Sequence, residues 1–304
     1  LEFYEQVCKA ANRPVLFQMV QVYDHSPQIH RGRLEWLQTC ADRGMQMYGQ
    51  GFISRNPFEL TFEEWNLFDD SPAWRKATMG SPKERAEKMR DPALRAEMKR
   101  EWDSGLKPGS GLFVNSLEGL VVGDVENEEL QRHIGRQCVD IAKEEGKHIV
   151  DTVLDITLSD NLQTEFMAPL GRTNPVHTAE ILKSPYTVPG VSDGGAHVKF
   201  YTGANYPTDT LIWQVREEEQ LTLEEAHYKL SYMPAFAAGL KDRGLIREGA
   251  PADVLVYDLD NLKLGPTEVA YDLPGGEWRR IQKAEGYRWT IVNGEVTLED
   301  SEPA

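Results

Sequence analysis

The stretch YTVPGVSD, Tyr186 to Asp193, ends an apolar, β-rich run on a carboxylate, and Gly194-Gly195-Ala196-His197 follows at once. In parallel α/β folds, the side chains at the carboxyl ends of strands face the active site. An aspartate there can bind a metal, take a proton from bound water and pass it to a leaving group. The paired glycines let the backbone approach a ligand closely. His197 can orient that carboxylate or face a substrate. The plainer alternatives are an Asx-turn closed by Asp193 and a structural His197.

Three further residues are candidates by position. Gln50 and Arg55 lie at and after the end of the run MQMYGQGF, so they can face the same pocket as substrate-binding groups. Lys199 follows the Asp193 turn and can hold a substrate carboxylate, or simply be a solvated lysine. Tyr23, Asp24, His25 and His30 follow the first apolar run, lack the i, i+4 spacing of a helical metal motif and are expected as loop residues. His133, His148, His177 and His227 fall on or near expected helices and are expected to be structural.

The elements that position these residues can be read from periodicity. PVLFQMVQV, Pro14 to Val22, is expected as a buried parallel strand. GRLEWLQTCADRG, Gly32 to Gly44, is expected as a helix stopped by glycine, and MQMYGQGF as a second strand, giving a βαβ unit. The charged stretch from Asn56 to Pro108 carries Trp65, Trp74 and Trp102. Two helices are expected in it, from Pro82 with Ser81 as cap and from Pro92 with Asp91 as cap. It reads as a folded insertion, either a lid or a packing excursion.

Leu112 to Val122 is expected as a strand or a strand pair, Glu126 to Gly146 as one long helix, and His148 to Asp160 and Pro175 to Lys183 as helices. PTDTLIWQVRE and LTLEEAHYKLSYMPAFAAGL are expected as helices, the second interrupted at Pro234. After Gly239 the pattern turns to strands: Asp253 to Asp258, then a hairpin turning at Asn293-Gly294 with the type I′ signature.

The chain has 304 residues, with 49 acidic and 33 basic side chains and a formal charge of −16. Such a surface repels phosphate backbones and anionic lipid, which argues against nucleic-acid and membrane partners. No apolar run approaches the roughly 20 residues that span a bilayer. Cys8, Cys40 and Cys138 are scattered and odd in number, as expected of reduced thiols in a cytoplasmic protein. The opening LEFYEQVCKAANRPVLF lacks an initiator Met and reads as the middle of a longer chain.

GVSDGGAH, YPTDTLIW, GLKDRGLIREGAPADVLVYD, YDLPGGEWRR and GYRWTIVNGEV occur here in that order. Together they resemble the C-terminal part of the amidohydrolase superfamily, in its N-acyl-D-amino-acid deacylase (D-aminoacylase)-like branch. SPAWRK and SPKERAEKMRDPALRAEM resemble that group's insertion, so the resemblance covers nearly the whole chain. It implies an α/β protein, a partial (β/α)8 TIM barrel over residues 1–244 with an insertion at about 56–110. A small β-sandwich segment would cover 245–304. A whole barrel takes about 250 residues, so the first strands and the family's His-x-His motif are expected before Leu1.

The resemblance also implies zinc, with Asp193 as a metal ligand and general base. Two more ligands would be histidines at the ends of strands 5 and 6. Those ends read here FQMVQVYDH and MQMYGQGF, offering Gln21 (or His25 out of register) and Gln50. Amides are poorer zinc ligands than imidazole. The implied activity is hydrolysis of an N-acyl amino acid or similar small amide. The alternatives are a cyclic-amide hydrolase of the hydantoinase or dihydroorotase kind, and a metal-free homologue that only binds. The chain alone is expected to be inactive and poorly soluble, and an oligomer is compatible with the sequence.

Overall fold

The computed structural model describes residues 1–64, 66–109, 116–171 and 173–304. Trp65 and the first part of the strand expected from Leu112 lie outside them. The fold is mixed α/β and divides into two compact units, Leu1–Arg55 with Arg172–Val198 and Thr202–Ala304, and Asn56–Gly171 with Lys199–Tyr201.

The first unit opens with helix α1 (Glu2–Ala11), strand β1 (Val15–Gln21), helix α2 (Gln28–Asp42) and strand β2 (Met47–Phe52). β1 and β2 pair in parallel, so the βαβ unit is present. α2 starts four residues earlier than the sequence suggested. Tyr4 of α1 and Trp36 of α2 both meet the Phe17 ring edge-on, at 5.1 and 5.2 Å. The spacing of MYGQGF explains how helices close on this sheet. A Cβ at Gly49 would stand 2.6 Å from Val20 Cγ2 and 2.8 Å from Leu37 Cδ1, and one at Gly51 would stand 2.9 Å from Ile181 Cγ2. The two glycines therefore mark the helix-facing side of β2, and Tyr48 and Gln50 belong to the opposite face.

The second unit contains β3 (Phe58–Leu60), α3 (Pro72–Thr78), α4 (Pro82–Arg90), α5 (Pro92–Asp103), β4 (Val121–Asp124), α6 (Cys138–Glu145), α7 (Ile149–Ser159) and β5 (Glu165–Ala168). Its three strands form an antiparallel sheet in the order β3-β5-β4. Three helix starts repeat one device. Ser71, Ser81 and Asp91 each precede a proline and accept from Trp74 N, Glu84 N and Ala93 N. The first of these starts was missed in the sequence.

The single helix expected over Glu126 to Gly146 is two pieces, a 3-10 turn at Glu128–His133 and α6. Gly135 N–H donates to Val122 O at 2.8 Å, and Cys138 N–H to Leu120 O at 2.8 Å. The backbone there extends the edge of β4 instead of continuing as a helix, and Gly135 takes a positive φ of 76°. The second unit runs from Asn56 to Gly171. Helices that read as barrel helices pack within it, as Arg95 of α5 on Asp151 (3.3 Å) and Asp155 (2.7 Å) of α7 shows.

The chain then returns to the first unit with α8 (Pro175–Lys183) and β6 (Thr187–Gly190). Next come α9 (Tyr206–Asp209), α10 (Leu223–His227) and α11 (Met233–Ala237), and then strands β7 (Val254–Tyr257), β8 (Lys263–Ala270), β9 (Arg279–Glu285), β10 (Tyr287–Val292), β11 (Glu295–Glu299) and β12 (Glu302–Pro303). Pro234 does not interrupt its helix. A π turn, Tyr228–Tyr232, precedes it and the chain stays helical to Ala237. The wider turn absorbs the missing N–H.

The parallel sheet has the order β1-β2-β6, the tail a four-stranded sheet β12-β11-β10-β7 and a separate β8-β9 pair. Asn293 and Gly294 have φ of 53° and 86°, the two positive angles that a type I′ turn requires. The strands after residue 245 are grouped in the same compact unit as the parallel sheet. The core beneath the parallel sheet gathers Phe17, Val20, Leu37, Cys40, Met47, Ile181 and Leu182.

Candidate active site

Gln18 of β1 and Gln50 of β2 are direct partners in the parallel register, and Gln50 pairs in turn with Val188 of β6. Partners across adjacent strands lie about 4.8 Å apart and share a face. Here that face is opposite the glycines that receive α2 and α8. It forms one wall of a cavity of about 610 Å³, together with Leu16, Val188 and Gly190, the loop from Val191 to Ala196, Tyr206, and Pro234, Ala237 and Ala238 near the end of α11. Asp193 therefore lines the same cavity as Gln50.

The strand stops at Gly190, because Val191 and Asp193 turn to φ of 62° and 50°. Asp tolerates that region, whereas a β-branched residue there stores about 1–3 kcal/mol of strain. Val191 is buried, which holds it. Ala196 N–H donates to Asp193 O at 2.9 Å and Gly194 N–H to Ser192 Oγ at 3.3 Å. It is thus the hydroxyl of Ser192, not the Asp193 carboxylate, that closes the local turn. Among the described residues the side chains of Gln18, Gln50 and Asp193 have no hydrogen-bond partner within the protein. Burial raises the Tyr206 hydroxyl above its ordinary range, so it stays a neutral phenol.

The other expected site residues stand elsewhere. Arg55 is bidentate on Asp209 (3.0 and 2.5 Å), with its guanidinium carbon 4.2 Å from the Trp213 ring centroid. It is a structural clamp and does not line the cavity. Lys199 belongs to the second unit, 3.9 Å from Glu64. His197 is exposed, one residue past the last loop residue that lines the cavity. Gln18 lies inside β1, three residues before its end at Gln21, and was not among the expected site residues. The unbroken register from Val15↔Met47 to Gln18↔Gln50 makes Gln18 the partner of Gln50, ahead of the shift between Gln18 and Val20. Period-2 alternation from Leu16 would have found it.

His30 was expected in a loop but is fully buried on α2. Its Nε2 lies 2.8 Å from Glu180 Oε2, which with Oε1 also accepts from Arg31 at 2.8 and 2.7 Å. Those Arg31 hydrogen bonds, against burial and with help from His30, hold Glu180 down to about 2. His177 Nδ1 lies 3.1 Å from Asp24 Oδ1, and Asp24 also accepts from the N–H groups of Thr173 and Asn174. This cluster ties the loop after β1 to the start of α8. Lys229, in the π turn, donates to the carbonyls of Ser184 and Thr187 and so pins the turn between α8 and β6. Burial pushes its amine down to about 8.

Among the described residues no group of three or more His, Cys, Asp or Glu side chains stands together to hold a metal ion. The cavity offers one carboxylate and two neutral amides, which do not by themselves make a zinc site.

The cavity lies against one face of a parallel α/β layer. The amidohydrolase family profile matches residues 4–298, and the chain belongs to that family. An N-acyl-D-glutamate deacylase of Alcaligenes xylosoxydans xylosoxydans is 52% identical over 90 residues, 30% of this chain and 17% of that protein. An N-acyl-D-aspartate deacylase of the same organism is 29% identical over 157 residues, 49% and 29% of the two. Two D-aminoacylase structures, one described for its binuclear metal centre, cover all of this chain and 50% of their own, at TM-scores of 0.53 and 0.51 and 16% identity. That likeness is one of fold. The chain spans about half the length of these solved relatives and less of the curated ones.

Proposed function

We propose that the protein carrying this chain hydrolyses the amide bond of N-acyl-D-amino acids, with Asp193 as its general base. The observation that carries this is the convergence of three polar side chains, unpartnered among the described residues, on one cavity. Asp193 takes a proton from water, the water oxygen attacks the acyl carbon, the C–N bond breaks, and the proton passes to the leaving amine. The products are a carboxylate and a free amino acid.

The relatives' names support this substrate class, and the likeness of fold to D-aminoacylase supports a (β/α)8 barrel with a β-sandwich segment. The order β1-β2-β6 revises the strand count within that barrel. β6 pairs directly with β2, so if β6 is the eighth strand, β2 is the seventh and β1 the sixth. Gln50 then no longer occupies a place where a histidine was expected, and the end of β1, Gln21 to His25, is the strand-6 end. Zinc is proposed for the whole protein, with Asp193 the one carboxylate that this cavity would contribute. His197 is proposed to orient Asp193. Three buried free cysteines support a cytoplasmic setting.

Replacing Asp193 by Asn in the protein as it exists is the test. Hydrolysis of an N-acyl-D-amino acid is expected to fall about 10²- to 10⁴-fold, with the unfolding midpoint unchanged. A variant as active as the parent would overturn the proposal.

A further inference from the structure

We propose that Gln50, seated by Gly190 and flanked by Gln18, reads the N–H of the scissile amide and so makes the site select amides over esters. The assignment rests on the hydrolase reading above. A carboxamide carries an acceptor and a donor in one plane, and a substrate amide presents the complementary pair, C=O and N–H. Gln18 and Gln50 stand side by side in register on neighbouring strands, line the cavity that holds Asp193, and keep both amides unpartnered among the described residues. An amide left without a partner beside a substrate loses affinity, so a substrate that lacks the N–H is discriminated against.

Gly190 gives the Gln50 amide its place. A Cβ there would lie 2.8 Å from Gln50 Nε2, 3.1 Å from Cγ and 3.4 Å from Cδ. The Gln50 side chain thus lies flat across the glycine, and any larger residue moves it. The three atoms nearest to such a Cβ all belong to Gln50, and the Gly190 backbone angle is not one that demands glycine. Its smallness serves Gln50, so Gly190 is a positioning residue.

The experiment compares kcat/KM for an N-acyl amino acid with that for its O-acyl analogue, the same acyl group on the matching hydroxy acid. The proteins are wild type, Gln50→Leu, Gln18→Leu, Gly190→Ala and Asp193→Asn. Gln50→Leu is expected to lower the amide value about 10- to 100-fold and the ester value less than about threefold. Gly190→Ala should move the amide-to-ester ratio the same way by a smaller factor, with an unchanged unfolding midpoint. Gln18→Leu should fall between the parent and Gln50→Leu. Asp193→Asn should depress both substrates. If Asp193→Asn spares both, the hydrolase reading fails. If it depresses both while Gln50→Leu and Gly190→Ala leave the ratio unchanged, or change the two substrates equally, only the recognition by Gln50 is overturned.

Discussion

In the second unit several polar side chains are bonded within the protein. Lys99 donates to Asp151 at 2.8 Å, Arg85 donates to the carbonyls of Phe62, Glu63 and Gly80, and Asp160 accepts from Asn127 N–H at 2.6 Å and Thr164 Oγ1 at 2.8 Å. They surround an aromatic centre in which the Phe62 ring lies 5.7, 5.8 and 5.9 Å from those of Phe68, Trp74 and Phe166. In the cavity of the first unit, Gln18, Gln50 and Asp193 face open space with no partner among the described residues. The first arrangement is what stability selects, because buried polar groups are costly when unpaired. The second leaves polar groups on a cavity wall where a ligand can reach them.

The contrast breaks most visibly if the aromatic centre proves dispensable. Phe62→Ala is expected to cost about 3–5 kcal/mol, since it empties a fully buried ring site. Urea unfolding followed by circular dichroism measures it. A loss under about 1 kcal/mol would mean that the second unit is not held as described.

Lys229 sharpens the contrast within the first unit, because its amine is buried and yet bonded only to carbonyls. Its folded pKa of about 8 lies below the ordinary 10.5. Between those values the unfolded chain binds the extra proton, so stability rises with pH across that window, by at most about 3 kcal/mol. Lys229→Met should remove this rise. Buried tyrosines push the other way near pH 10, so the difference between parent and variant is the quantity to measure.

The effect at Glu180 is smaller, because Arg31 and Glu180 are both partly exposed. The carboxyl is held at about 2 in the fold against 4.5 unfolded. Its contribution is therefore complete above pH 4.5 and is lost as pH falls toward 2. Glu180→Gln should flatten the acid limb of a stability profile. An unaltered limb would show that the His30–Glu180–Arg31 cluster contributes nothing.

Much of this architecture was legible in the residues. Val15–Gln21, α2 and Met47–Phe52 follow from apolar periodicity with a glycine stop, and Asn293-Gly294 announces its hairpin. Ser81-Pro82 and Asp91-Pro92 give their helix starts, and Ser71-Pro72 carried the same signal unread. What could not be read depends on contacts distant in sequence. The helix at Glu126–Gly146 breaks because β4 takes its backbone, and the second unit extends to Gly171 because α7 binds α5. Asp193 and Gln50 were found as strand-end polar groups. Gln18 was not, because it lies inside β1 rather than at its end, and only the pairing of β1 with β2 sets it beside Gln50. Arg55 was expected to face the pocket by its position after β2, and only the fold brings Asp209 and Trp213 to it.

The most direct test of the central claim is chemical rescue at Asp193. Asp193→Ala should lose nearly all hydrolysis of an N-acyl-D-amino acid, and added formate should restore a part of it by supplying a carboxylate in the emptied place. Full activity of Asp193→Ala without formate would contradict the account.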